Sequence, residues 1–413
     1  MTGSGDSALG IYVSIPFCRS KCTYCNFASG VYPAADHERY VDRLIEDLSR
    51  APIWSRSMST ECPRRVDTIY LGGGTPSLLA PHLLLKLFGS IRSQFDLNAD
   101  AEITMECAPG QIADATLEAM AAAGVNRVSL GVQSFVDSEA HASGRLHSRA
   151  IVEADLRRLR ATGIANLNVD LIAGLAGQTF ASWDESLDAL IGSGVPHASV
   201  YMLEVDEDSR LGREMLKGGV RYRADLVPSD DAIARMYERA IERLEGAGLC
   251  QYEISNFAHP WFESKHNMRY WQRRPYLGVG LDASSMALHA TASRDVSDGQ
   301  TRHPDVLRFT TTDDLKAYLA GPTTPETARL SQTQQFEEAW FLGLRVNEGV
   351  DVAALRREFG SEILAPAMET VERLVADRLL IADGARVRLT SRGRLLSNDV
   401  FQEFLELEVA TTT

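Results

Sequence analysis

The chain has 413 residues, of which 45% are hydrophobic and 24% charged, with a formal net charge of -14. Such a composition belongs to a folded globular protein with room for two domains and excludes a disordered chain. The negative balance argues against a nucleic-acid partner, whose phosphates demand a basic face. Residues 1–10 hold neither the basic nor the apolar region of a leader, and no stretch approaches the ~20 apolar residues of a membrane span, so a cytoplasmic protein is expected.

The first element is a short β-rich run in Ile11-Tyr12-Val13-Ser14-Ile15-Pro16-Phe17, stopped by a proline that cannot donate to a ladder. It delivers Cys18, Cys22 and Cys25, a C-x3-C-x2-C spacing, into a loop. Three thiolates are one short of what an ordinary iron–sulfur cluster takes, and a cubane so held keeps one iron open to a non-protein ligand. A zinc site lacking its fourth ligand, or buried thiols that happen to cluster, are the alternatives. Cys62, Cys107 and Cys250 lack partner spacing and fit a reducing compartment; Cys250 reads as a buried thiol.

Strands are expected at Ile11–Ser14, Thr68–Leu71, Glu102–Glu106, Val128–Val132, Asn166–Leu171 and Ala198–Leu203. Helical periodicity separates them at His37–Ser49, Pro81–Gln94, Ala113–Ala123, Ser148–Thr162 and Phe180–Ser193, and a further helix is expected at Ser229–Ala247. Alternating β and α elements predict an α/β fold around a parallel sheet, with six units against the eight of a closed TIM barrel. The polar passage from Thr310 to Thr327 reads as a linker between domains at 1–309 and 328–413. Beyond it, helices at Glu337–Arg345, Val352–Phe359 and Ile363–Ala376 precede a two-stranded wing at Leu379–Ile381 and Arg386–Leu389 and a helix from Ser391 to Leu407. This order predicts a small winged-helix-like α+β domain, and the acidic balance favours a lid or docking role over DNA reading.

In a parallel barrel the site is built at the C-terminal ends of the strands. Strand two runs into Gly72-Gly73-Gly74-Thr75-Pro76, where glycines let backbone groups approach a ligand. Strand three ends at Glu106, strand four is followed by Gln133 and, further on, Arg145, and strand five carries Asp170. Singly each is a surface residue or a cap; together they place one polar group per strand end.

The strand-to-cysteine entry and the glycine run resemble the radical S-adenosylmethionine (SAM) superfamily. The closer resemblance is to the branch holding the oxygen-independent coproporphyrinogen III dehydrogenases and the heme chaperones of the HemW type. It implies a partial (β/α)6 TIM-like barrel, a [4Fe-4S] cluster on Cys18, Cys22 and Cys25, and SAM held by Tyr12, Tyr24, Gly73, Gly74, Thr75, Glu106, Gln133, Arg145 and Asp170. Arg145 would pair with charge on SAM, and Glu106, Gln133 and Asp170 would hold its amino and ribose groups. In such proteins an electron from the cluster cleaves the sulfonium to methionine and a 5′-deoxyadenosyl radical. Glu204 stands where the branch has a small residue and is left out of the site.

Asn26-Phe27-Ala28 follows Cys25 without a further cysteine, and the first strand begins at residue 11 without a long preceding arm. Both features resemble the chaperone group, as do Glu102-Ile103-Thr104-Met105-Glu106, Tyr252-Glu253-Ile254-Ser255, His266-Asn267-Met268-Arg269-Tyr270-Trp271 and Leu389-Thr390-Ser391-Arg392-Gly393. The resemblance implies heme as cargo with His266 as its ligand, a hemoprotein acceptor such as a respiratory-chain cytochrome, and an electron donor. A histidine satisfying its loop is the other reading of His266, and Gly278–Ser285 lacks a histidine often found in relatives. Transient membrane association and a homodimer stay open. Reductive SAM cleavage is possible in principle, and coproporphyrinogen dehydrogenase activity is the alternative function.

Overall fold

The computed structural model describes residues 8–289, 305–322 and 325–405. Its parallel strands are β1 (Leu9–Ile15), β2 (Arg65–Gly73), β3 (Asp96–Cys107), β4 (Arg127–Gln133), β5 (Asn166–Ala173) and β6 (His197–Met202), paired in sequential order. The intervening helices are α1 (Ala34–Ser57), α2 (Pro81–Gln94), α3 (Asp114–Ala123), α4 (Asp137–Ala142), α5 (Arg149–Ala161) and α6 (Phe180–Ser193). After β6 come α7 (Arg210–Leu216), α8 (Asp230–Gly246), β7 (Cys250–Gln251), β8 (Asn256–Ala258), α9 (Lys265–Trp271), β9 (Tyr276–Val279), β10 (Ser284–Leu288) and β11 (Val306–Thr310). The sheet continues through α10 (Leu315–Ala320) to β12 (Glu326–Leu330). Its order is β12-β11-β10-β9-β1-β2-β3-β4-β5-β6-β8-β7, so among the described residues the six β/α units form an open sheet, extended on both sides.

Side chains on these strands alternate between two chemistries. One face carries Ile69, Leu71, Met105, Val128, Leu130, Val169 and Val200, all inaccessible and packed under Leu44, Leu87, Leu159, Leu187 and Leu244 of the helices. Covering that face is the main stabilising event, at roughly 25 cal/mol per Å² removed from water. The other, inner face carries Tyr70, Glu106, Ser129, Asn168, Asp170 and Ser199. Trp183 Nε1 donates to the Met236 carbonyl at 2.7 Å and ties α6 to α8.

Several elements depart from the pattern in the sequence. Helix α1 runs through Pro52 to Ser57, because Ala51 and Ser55 are buried and Trp54 packs edge-on to Phe309 at 4.0 Å, a tertiary gain that outweighs the lost backbone bond. The passage read as a linker instead ends β11, forms α10 and begins β12, and β12 pairs with β11. Cys250 is exposed on the edge strand β7, not buried.

The C-terminal unit contains α11 (Gln332–Arg345), β13 (Val350–Asp351), α12 (Val352–Phe359), α13 (Ser361–Ala376), β14 (Leu380–Ala382) and β15 (Arg386–Leu389). Three helices and a sheet of order β13-β15-β14 make the winged-helix-like arrangement, with a third strand too short to read in the sequence. The expected last helix breaks at Leu396 into α14 (Ser391–Leu395) and α15 (Ser397–Gln402), and residues 406–407 lie outside the described residues. The break lets Gly393 press against the Leu379 carbonyl while Phe404 stacks on Trp340 at 4.6 Å. Among the described residues no helix is long and apolar enough to cross a membrane.

The unit docks through backbone bonds from Ile254 N to Arg345 O (3.2 Å) and Asn347 N to Tyr252 O (3.0 Å), and through the Arg273–Glu358 fork at 2.9 and 2.7 Å. At the centre Arg345 Nε donates to Glu253 at 2.8 Å, and the Glu253 side chain is wholly inaccessible. Arg345→Ala would strand that carboxylate and is expected to cost ~3–5 kcal/mol in urea unfolding, with much of the loss recovered when Glu253→Gln is added.

Candidate functional site

A cavity of about 960 Å³ opens at the C-terminal ends of β1–β6, at the upper end of ligand-pocket sizes. Its lining includes all three clustered cysteines together with Tyr24, Gly73, Gly74, Thr75, Glu106, Gln133, Arg145 and Asp170. These sequence candidates, spread over 152 positions from Cys18 to Asp170, thus meet at one place.

The cysteine loop is fastened at its base and at its tip. Gly30 N donates to Pro16 O at 2.9 Å and Cys18 N to Gly30 O at 2.8 Å, closing the base. Thr23 N donates to Ser143 O at 3.1 Å, and Leu211 N to Thr23 O at 2.8 Å, tying the tip to the end of α4 and the start of α7. Gly144, at φ +91°, allows this approach, since a Cβ there would stand 3.3 Å from the Cys22 Cα. The three thiols are half-buried. Burial raises the Cys18 thiol above its ordinary value, the Ser29 and Thr75 hydroxyls pull it back, and Cys25 and Cys22 raise it further. Deprotonation therefore calls for a cation. Among the described residues no three His, Cys, Asp or Glu side chains converge on a single ion. Sulfurs that each take a separate iron of a cube need not converge, so the donor set fits a cluster.

The glycine run lies against this loop. Gly74 N donates to Ile15 O and Thr75 N to Phe17 O, both at 2.8 Å, and a Cβ on Gly74 would come within 2.8 Å of the Phe17 carbonyl. The Thr75 hydroxyl lies 3.9 Å from Cys18 Sγ.

Opposite stand the polar strand ends. Tyr70 Oη donates to Glu106 Oε1 at 2.8 Å, yet burial raises the Glu106 carboxyl to about 7, with Asp170 adding to the shift. Asp170 is also raised by burial and accepts from Ser129 Oγ at 3.2 Å and Asn168 Nδ2 at 2.7 Å. Gln133 follows a bulge in the β4–β5 register and sits at φ +70°, a left-handed strain that turns its side chain into the wall. Its Oε1 is buried without a partner, and so is Arg145 Nε. Arg145 Nη2 donates to Tyr24 Oη at 3.2 Å, and Gly131 leaves space beside it, because a Cβ there would stand 3.0 Å from Nη2. Unpaired buried polar atoms beside an open cavity are what a polar ligand would satisfy.

Two sequence candidates lie elsewhere. Tyr12 does not line the cavity; its ring centroid is 6.1 Å from that of Tyr70, deeper in the sheet. His266 is buried in α9 with Nδ1 at 2.9 Å from Thr68 Oγ1 and Nε2 at 2.8 Å from Tyr270 Oη. Burial and the Arg269 and Arg127 charges lower it to about 3. Both ring nitrogens are engaged, so this conformation does not offer His266 to iron, and the loop-satisfying reading describes it. Tyr70, Ser129 and Asn168 were missed, although their alternation with apolar neighbours marks them as inner-face residues. Glu204, set aside in the sequence, lines the cavity, as do Arg345 and Leu395–Asp399 of the C-terminal unit, which no local motif announces.

Comparison with known proteins gives a consistent result. Residues 12–190 match the Radical SAM superfamily profile, and residues 330–396 match that of the HemN C-terminal domain. The protein named heme chaperone HemW in Lactococcus lactis is 33% identical, over 95% of this chain and 96% of that protein. Its namesake in Escherichia coli is 30% identical, over 96% and 98%. The mouse mitochondrial radical S-adenosyl methionine domain-containing protein 1 is 30% identical, over 94% and 86%. The solved structure of Escherichia coli coproporphyrinogen III oxidase HemN superposes with a TM-score of 0.79 over 97% of this chain and 90% of that one, at 22% identity, a likeness of fold.

Gly144→Ala places a side chain at φ +91° against Cys22. It is expected to cost about 1–2 kcal/mol and to lower the iron bound after anaerobic reconstitution, measured per chain against wild type. The Glu106 carboxyl, at about 7 in the fold against 4.5 ordinarily, keeps a proton that the unfolded chain has already lost. Stability from this group therefore falls as pH rises from about 4.5 to about 7 and is level above, and Glu106→Gln removes that slope in denaturation curves.

Proposed function

Because the chain belongs to the radical SAM superfamily, within its HemW group, we propose that it is a heme chaperone that holds a [4Fe-4S] cluster and SAM in the cavity and passes heme to hemoprotein acceptors. The observation that carries this reading is the meeting of three half-buried thiols, a backbone-lined glycine run and the unpaired buried polar atoms of Gln111, Gln133 and Arg145 in one cavity. Cys18, Cys22 and Cys25 would hold the cluster. When bound, the cluster and SAM supply one-electron chemistry at a sulfonium carbon–sulfur bond.

The chain's own contribution is placement and charge. Arg145, its Nη2 on Tyr24 and its Nε open, suits a carboxylate that takes two parallel hydrogen bonds. Gln133 Oε1, unpaired and buried, accepts from a hydroxyl or ammonium group. Glu106 would take the amino group of SAM, as a carboxyl that must lose its proton to receive a cation. Asp170, held by Ser129 and Asn168, presents its remaining lone pairs to ribose hydroxyls. The docked C-terminal unit closes one wall of this end through Arg345 and Leu395–Asp399.

The heme side of the proposal rests on relatives named heme chaperone and on the absence of a cysteine two residues after Cys25. Anaerobic reconstitution with iron and sulfide should give a cubane signal in Mössbauer spectra of wild type that is lost in Cys18→Ala, Cys22→Ala and Cys25→Ala. Hemin added to the same protein should give a stable Soret band, whereas reduced protein supplied with SAM and coproporphyrinogen III should release no protoporphyrinogen. Turnover of coproporphyrinogen, or absence of heme binding, would remove the chaperone reading. SAM affinity should weaken about tenfold per pH unit below pH 7 as Glu106 takes up its proton, and Glu106→Gln should flatten that profile in equilibrium binding.

A further inference from the structure

With the heme-chaperone reading as its premise, the structure assigns a heme-docking site to the turn His259-Pro260-Trp261-Phe262, with His259 Nε2 as the iron ligand and the Trp261 indole as a stacking face. The site lies at the end of the sheet away from the cavity. His259 follows β8, whose Ala258 pairs with His197, the first residue of β6, while Tyr201 and Met202 at the far end of β6 line the cavity. Five strand residues, about 17 Å, separate the two ends.

Trp261 is anomalous in two ways. Phe262 N donates to His259 O at 3.1 Å, closing a turn with proline second and Trp261 third, and Trp261 sits at φ +76°. That third position in a proline-led turn with left-handed geometry is the one that favours glycine or asparagine. A bulky aromatic residue there is strained, and it gains little in return, because Trp261 is 94% exposed. The turn thus spends backbone strain to show solvent a large flat ring, which is the surface a macrocycle stacks on.

His259 provides the other half. Its Nδ1 lies 2.8 Å from the carbonyl oxygen of Gly248, which can only accept, so Nδ1 carries the proton and Nε2 keeps its lone pair. A ring N–H donated to a backbone carbonyl is the support that fixes the tautomer and orientation of a metal-bound imidazole. No described residue bonds Nε2. The backbone is anchored too, His259 N donating to Pro196 O at 2.9 Å. The contrast with other histidines is chemical: His266 and His197 are buried and have both ring nitrogens engaged, at 2.9 and 2.8 Å and at 2.6 and 2.9 Å respectively. An iron porphyrin could reach His259 without breaking a hydrogen bond of the fold.

Hemin titration of the full chain, followed by optical spectroscopy, tests this in wild type, His259→Ala, Trp261→Gly and His266→Ala. His259→Ala should shift the Soret band and weaken binding at least tenfold. Trp261→Gly should weaken it several-fold while leaving the ligand spectrum in place and the melting temperature no lower, since glycine is the residue the turn favours. His266→Ala, if it lowers binding, should do so only in step with lost thermal stability. Wild-type binding with unchanged titrations of His259→Ala and Trp261→Gly overturns the site and leaves the chaperone reading standing. Absence of heme binding in wild type overturns both.

Discussion

The inner face of the sheet is buried and polar at once, and the rest of the molecule is arranged around satisfying it. Asn168 Nδ2 reaches Ser129, Asp170 and Ser199 at 2.7, 2.7 and 3.0 Å, and its oxygen takes His197 at 2.6 Å. Ser199 donates to Asn256 at 2.8 Å, Asn256 to Glu253, and Glu253 accepts from Arg345 of the C-terminal unit. A buried network of this kind is favourable only when every member is paired. Pairing is incomplete at several positions, Thr104 Oγ1 and Arg127 Nε among them, and where Gln111 Oε1, Gln133 Oε1 and Arg145 Nε lack partners the gap meets the cysteine-lined cavity. At the candidate site the hydrogen bonds that the fold leaves open are within reach of a ligand.

The same network explains why the C-terminal unit belongs to the site and is more than an appendage. Arg345 lines the cavity, neutralises the inaccessible Glu253 and lies 4.4 Å over the Trp271 ring. Its α14–α15 break brings Leu396 to the cavity wall, where the half-exposed Tyr201 and the exposed Phe27 also stand. Undocking would cost the Glu253 pair and open this wall together, so cavity shape and buried charge are linked by one side chain.

Much of this was legible in the sequence because its signals are local. The spacing of Cys18, Cys22 and Cys25, the glycines at 73–74 and the polar residue at each strand end are short patterns tied to strand exits, and the structure gathers them around one cavity whose lining leaves out Tyr12 and His266. Val128-Ser129-Leu130-Gly131-Val132 shows the limit: its alternation separates a helix-packed face from a polar inner one, although both are buried, and hydropathy alone does not say which polar residue is solvated. What the sequence hid was non-local. Proline 52 inside α1, the strands β7–β12 that extend the sheet, and the reach of Arg345 into the cavity each depend on a partner far along the chain.

The segment His266–Trp271 shows how a recognisable run of residues can be accounted for by packing. Glu102 accepts from Lys265 N at 3.1 Å and His266 N at 3.0 Å, so a carboxylate from the start of the sheet caps α9. His266 bridges Thr68 and Tyr270; Arg269, inaccessible, binds Asp67 and the carbonyls of Ala8 and Pro275; Trp271 receives Arg345. His266 and Arg269 close the strand end opposite the cavity, and Trp271 packs under Arg345 of the cavity wall. Opening α9 to free an imidazole would strand a guanidinium with 0% exposure and uncap a helix, whereas the turn at His259–Phe262 presents its imidazole and indole with the fold intact. A ligand that arrives from solution meets the second pair first.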